Sequence, residues 1–187
     1  MASKEEYLFL REEIIYDTTA VQNYRKLMYT TVAAIYTIAF TQSEPLIFLV
    51  PIAVILPIFK MCMARRSSMC RIGAYLLVFL EADDSVFHWE TRLHKYDDVY
   101  AIGIKKSMIS PYTVSVLVSV ALCIIRMDFD CFTSPENIIR LGICAVVGTI
   151  SLIIISKGQV DYIKEKEKFI ERWKYIKEHE SEKGGTN

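Results

Sequence analysis

Four stretches of the chain carry no charged residue: Leu27–Phe40, Pro45–Phe59, Ser107–Ile125 and Leu141–Ser156. A hydrocarbon core about 30 Å thick is crossed by roughly 20 helical residues, with about 17 as the shortest practical length. The third stretch, 19 residues between Lys106 and Arg126, meets that length alone. The first reaches 17 once Thr41, Gln42 and Ser43 are counted. The second and fourth, at 15 and 16 residues, need Lys60, Arg140 and Lys157 to lay their apolar stems along the ends of the span. The pattern predicts an all-α integral membrane protein with four transmembrane helices and cytoplasmic amphipathic helices.

The polar segments divide the rest. Residues 1–26 read as a cytoplasmic amphipathic helix, opened by a Ser3/Glu6 capping box. Tyr7, Leu10, Ile14, Val21, Tyr24 and Met28 recur along it at heptad spacing, broken by Asp17. Residues 27–59 form a transmembrane hairpin around a tight Gln42–Pro45 turn, with Pro51 and Pro57 expected to kink its second arm. In the cytoplasmic region 60–106 the second span is expected to continue as a helix on the stripe Met69, Ile72, Leu76 and Phe79. Ala82–Ser85 then breaks it, and Ser85 caps a further helix to about Ile102. Residues 107–156 hold spans three and four, and 157–187 a charged cytoplasmic helix with a frayed end. The apolar stripes Tyr7, Leu10, Ile14 and Phe169, Trp173, Ile176 are expected to carry oligomerisation, since neither can be left in water.

Charge fixes the orientation. Lys plus Arg number four before the first span, none in the first turn and eight between spans two and three. They number two between spans three and four, and eight after the last. The positive-inside rule therefore places both termini and the central region in the cytoplasm. The acidic start (Glu5, Glu6, Glu12, Glu13) is unlike a secretory leader, so the first span is expected to act as the insertion signal. Hydrophobic residues make up 52% and charged residues 24% of a chain whose formal net charge is zero. That balance argues against DNA or other nucleic acid held by bulk charge. The lipid bilayer is the first expected partner, and a second copy of the chain the next.

Candidate chemistry is sparse. The five cysteines, Cys62, Cys70, Cys123, Cys131 and Cys144, contain no CxxC pair, and no cofactor or metal site is expected. Glu90, His94 and Asp97 or Asp98 share a helical face, but with Arg92 and Lys95 beside them they read as ordinary salt-bridge patterning, and His88 lies off that face. Arg65, Arg66 and Arg71 are expected to meet lipid headgroups. Within the spans, small residues recur at helical spacing: Ser115, Ser119 and Cys123; Thr30, Ala34 and Thr37; Gly142, Ala145 and Thr149. Such faces permit close helix packing or line a narrow pore, and packing is the commoner use. No ionisable acid, base or histidine lies inside any span, which disfavours ion-coupled transport. Arg172 and His179 match the R-x(4–6)-H pattern of HEPN ribonucleases, a short pattern of low specificity, here without the usual polar residue after the Arg because Trp173 stands there.

The blocks Glu6–Ile14, Arg71–Tyr75 with Phe79–Glu81, and Trp89–Arg92 resemble small helical membrane proteins of bacteria. Among these are accessory proteins encoded beside RNA-guided, RNA-cutting CRISPR nucleases. The resemblance covers about the first half of the chain and one degenerate motif. It implies a multi-pass protein of the bacterial inner membrane that acts in antiviral defence by oligomerising and permeabilising or depolarising the membrane. It further implies an RNA-guided nuclease or its RNA product as partner, with Arg172 and His179 answering to the family's divergent Arg…His pair. Two alternatives stand beside it: a membrane-anchored HEPN-like ribonuclease using Arg172 and His179, and a non-enzymatic membrane scaffold.

Overall fold

The computed structural model describes residues 4–80, 110–127 and 134–184. The Ser3 cap, the helix expected after Ser85, the Glu90/His94/Asp97/Asp98 face, His88 and Cys131 lie outside the described residues. Within them every element is helical. Helix α1 spans Lys4–Thr41; a 3-10 turn, Pro45–Leu49, leads into α2, Val50–Tyr75, which passes into a π-helical segment, Leu76–Leu80. Helix α3 is Pro111–Ile125 and α4 is Pro135–Gly184.

Among the described residues two stretches, Pro45–Leu80 and Pro135–Glu180, are long and apolar enough to cross a membrane. These contain the second and fourth apolar stretches, the two shorter of the four once the first is extended through its turn, because their helices run on far beyond the uncharged residues. The third stretch behaves in the opposite way: α3 is 15 residues long. It begins at Pro111 because Ser110, in an extended backbone, accepts a 3.3 Å hydrogen bond from the Thr113 amide, and proline is favoured at the first helical position. Helix α4 starts the same way, with the Asn137 amide donating to Ser134 Oγ ahead of Pro135. The uncharged part of α1 is diluted by Tyr29, Thr30, Thr31, Tyr36 and Thr37, and α1 is not among the helices apolar enough to span by composition. Pro51 falls in the first turn of α2, where its missing amide is not needed, so the expected kink there has no cause; Pro57 is the proline inside the helix.

The chain divides into two compact units. The first gathers Met1–Val21, Met63–Met108 and Val160–Asn187; the second gathers Gln22–Cys62 and Ile109–Gln159.

In the second unit the buried side chains are mostly aromatic and aliphatic: Met28, Phe48, Ile55, Phe59, Val116 and Ile155. Phe59 meets Tyr112 edge-on at 5.2 Å, and Phe40 meets Phe48 edge-on at 5.1 Å, the favoured aromatic geometry. A Cβ on Gly148 would lie 2.9 Å from Val120, so this glycine lets α3 and α4 approach closely. Gly142, named from the sequence for that role, faces open space: a Cβ there would meet nothing within 4 Å. At the α1 turn, Arg126 donates to the Phe40 carbonyl at 2.9 Å and Arg140 pairs with Glu44 at 2.9 Å. Both basic residues expected on the outer side are thus tied to the turn that follows α1.

In the first unit, Ile72, Leu76 and Leu80 are buried, with Tyr7, Leu10, Ile14, Tyr75 and Phe79 packed against them. Residues four apart drift by about 40° around an α-helix, so Leu80 would sit well off the face of Ile72 in a continuous one. The wider π turn rotates it back.

Candidate functional site

The π-helical segment is where three helices of the first unit converge. A π turn shifts the bonding pattern from i→i−4 to i→i−5 and disturbs the carbonyls beside it, and such turns gather at functional places. Two side chains of α4, one helical turn apart, serve those carbonyls. Trp173 Nε1 donates to the Arg71 carbonyl at 3.2 Å, and Lys177 Nζ donates to the Val78 carbonyl at 3.0 Å. The Trp173 ring meets Tyr75 edge-on at 5.2 Å and Phe79 at 5.9 Å, while Tyr75 and Phe79 stack at 4.9 Å. From α1, Glu6 Oε1 accepts a 2.6 Å hydrogen bond from the Tyr75 hydroxyl. The arrangement grips the last turn before Glu81; it holds no nucleophile–base pair.

That hydrogen bond shifts the phenol. Donation to Glu6, then partial burial, then the charges of Glu6 and Glu180 raise the Tyr75 pKa from 10.0 to about 12. The neutral phenol is the form the fold favours, so its contribution is complete below the unfolded value near 10 and is lost as pH rises toward 12. The difference in ultraviolet titration between the wild type and Tyr75→Phe is expected to centre near 12, and Glu6→Gln to bring it down.

Further along α1, Asp17 interrupts the apolar stripe for a reason. Its carboxylate is 2% exposed and pairs with Arg65 Nη1 at 2.9 Å, while its second oxygen has no hydrogen-bond partner. Arg65 also lies over the Tyr16 ring, and Arg66 over Tyr162. Two of the three arginines expected at lipid headgroups therefore have partners within the unit.

The stripes expected to carry oligomerisation have partners in the same chain. Tyr7, Leu10 and Ile14 lie on the Ile72 core, and Trp173 on Tyr75 and Phe79. Phe169 is half-buried, and Ile176 remains 38% exposed. Of the small residues of α3, Ser119 and Cys123 are fully buried inside the second unit. Ser119 Oγ donates to the Ser115 carbonyl at 3.0 Å, so the 2.7 Å contact with Tyr36 has the phenol as donor. Ser115 Oγ donates to the Pro111 carbonyl at 2.9 Å. These contacts are helix packing within one chain.

Arg172 and His179 both lie exposed on α4, seven residues apart, a rise of about 10 Å. Arg172 lines a shallow groove of about 390 Å³ with Glu171, Tyr175 and Ile176. The His179 ring lies 3.9 Å from that of Tyr175, and its Nδ1 is 2.8 Å from the Tyr175 carbonyl. A carbonyl only accepts, so Nδ1 is the donor in this contact. Nothing among the described residues brings a second helix to face the pair. Trp173, which replaces the expected polar residue, is turned into the core. No group of histidines, cysteines and carboxylates suited to a metal ion occurs among the described residues. Comparison with protein-family models, with curated proteins and with solved structures returns no match.

Proposed function

We propose that this chain is a four-span membrane protein, with both termini in the cytoplasm, that acts by assembling in the bilayer. The observation that carries this reading is that the second unit is apolar on its exterior as well as in its interior. Its exterior includes Val118, Ile143, Val146, Ile150 and Ile153, each more than two-fifths exposed. Its interior holds Ser119 and Ser151, both almost fully buried, with their hydroxyls satisfied by backbone carbonyls. Water disfavours an exterior of such large apolar side chains, whereas lipid is as apolar as they are. Alkaline carbonate is expected to leave the protein in the membrane pellet and mild detergent to release it; release by carbonate overturns the reading.

The role we assign within that setting is that of an accessory effector of RNA-guided antiviral defence in the bacterial inner membrane, which permeabilises or depolarises the membrane as an oligomer. Support comes from the sequence resemblance, the absence of charge within the spans and the small size of the chain. Co-expression with a triggered RNA-cutting nuclease is expected to collapse the membrane potential, and an unchanged potential overturns this role. Ribonucleolysis is the weaker reading, because Arg172 and His179 sit on one exposed helix and no second helix faces them among the described residues. Arg172→Ala and His179→Ala are accordingly expected to leave RNA decay at the level of the unaltered protein, measured on total RNA after triggering.

A further inference from the structure

The inward face of α1 is occupied by its own chain, yet α1 is apolar on its outward face as well. Leu8, Phe9, Ile15 and Tyr16 are 45%, 67%, 54% and 65% exposed. At 100° per residue they flank a line through Glu5 and Glu12, away from the face of Tyr7, Leu10 and Ile14. Four large exposed hydrophobes on one short face mark a contact surface, and the glutamates on its midline rule out an anionic lipid surface as the favoured occupant.

The complementary surface lies on this same chain. On α4 the exposed side chains Lys164, Lys168 and Arg172 recur every fourth residue and lead into the groove bordered by Tyr175 and Ile176. Glu171 stands at the edge of that line and Tyr175 is 61% exposed. Glu5 and Glu12 are separated by a helical rise of about 10.5 Å, and Lys164 and Arg172 by about 12 Å. Among the described residues none of these five charged side chains has an ion-pair partner. An acidic line flanked by apolar residues thus matches, in sign and in length, a basic line beside an apolar groove.

We propose that the outward face of α1 docks on the Lys164–Arg172 face of α4 in a second copy of this chain. The proposal rests on the reading of the protein as an assembly and names the surfaces that build it. Because the two faces differ, copies meet either reciprocally about a twofold axis or head-to-tail in rings or open chains. Complementary charge sets which copies meet and how fast, while the apolar flanks hold them.

The test uses two variants of the full chain in mild detergent, sized by light scattering. One carries Glu5→Lys and Glu12→Lys; the other carries Lys164→Glu, Lys168→Glu and Arg172→Glu. Each alone is expected to raise the concentration for half-association by about tenfold or more. Mixed together they are expected to co-assemble, because each variant then offers the charge the other lacks, and a chain carrying all five changes is expected to regain self-association. Rescue in the mixture also shows that both variants are folded. Association unchanged in either variant, or no recovery in the mixture, overturns the contact between these faces while leaving an assembly by other surfaces intact. A wild-type protein that is monomeric throughout overturns both this contact and the assembly reading.

Discussion

Val146→Arg together with Ile150→Arg is expected to abolish stable insertion of α4 while leaving the rest of the chain synthesised normally. The two side chains are 57% and 52% exposed, one helical turn apart, near the middle of the uncharged run Leu141–Ser156. In water such exposure would make arginine welcome. At the centre of a span each arginine costs about 2.5–3.5 kcal/mol, so the pair costs roughly 6 kcal/mol, more than a span of this length can spare. The readout is the fraction of protein resisting carbonate extraction. Tyr175→Arg with Ile176→Arg, also exposed but in the first unit, is the matched control and should leave that fraction unchanged. Insertion of the Val146/Ile150 variant at wild-type level would mean that this face meets water or protein.

Arg65→Ala is expected to lower the stability of the first unit by about 3 kcal/mol. Removing one partner of a buried ion pair typically costs about 3–5 kcal/mol, because the remaining charge is left without compensation. Asp17 is the deeply buried member; Arg65 is 39% exposed, so water partly offsets its loss and the lower end of the range applies. Asp17→Leu combined with Arg65→Met should be milder than Arg65→Ala alone, since it removes the stranded carboxylate as well. Thermal unfolding in detergent, followed by circular dichroism, orders the two variants. Equal losses would show that packing, and not the unpaired charge, sets the cost.

The all-helical fold and the unbroken passage of α2 beyond Phe59 follow from periodicity. The helix starts do not follow from the uncharged runs, which begin at Ser107 and Leu141; their signals are the serines before Pro111 and Pro135, local caps that a count of uncharged residues passes over. Asp17 announces itself as the one charge in an apolar stripe, and a buried partner is the usual reason for such a residue; which arginine it meets depends on helices brought together from 48 residues apart. The π segment has no local signal at all. Leu76–Leu80 is an uninterrupted apolar run, and the side chains that meet the carbonyls around it, Trp173 and Lys177, lie about 100 residues away. The same tertiary contacts explain why the stripes of the terminal helices, which in isolation ask for a partner molecule, find one within the chain. Substitutions of Trp173 therefore report first on packing around Tyr75 and Phe79. Arg172 and His179 match a spacing pattern, but spacing along one helix cannot supply the facing helix that the chemistry needs.

The central claim is that four spans cross the bilayer with both termini inside, and cysteine accessibility tests it most directly. Cys62, Cys123 and Cys144 are buried and should stay silent, which leaves Cys70 and Cys131 as reporters. In variants that retain one of the two, a membrane-impermeant maleimide applied to intact cells is expected to label Cys131 alone. Cys70 is expected to react only after the membrane is opened. Labelling of Cys70 from outside, or failure of Cys131 to react there, would contradict the four-span topology.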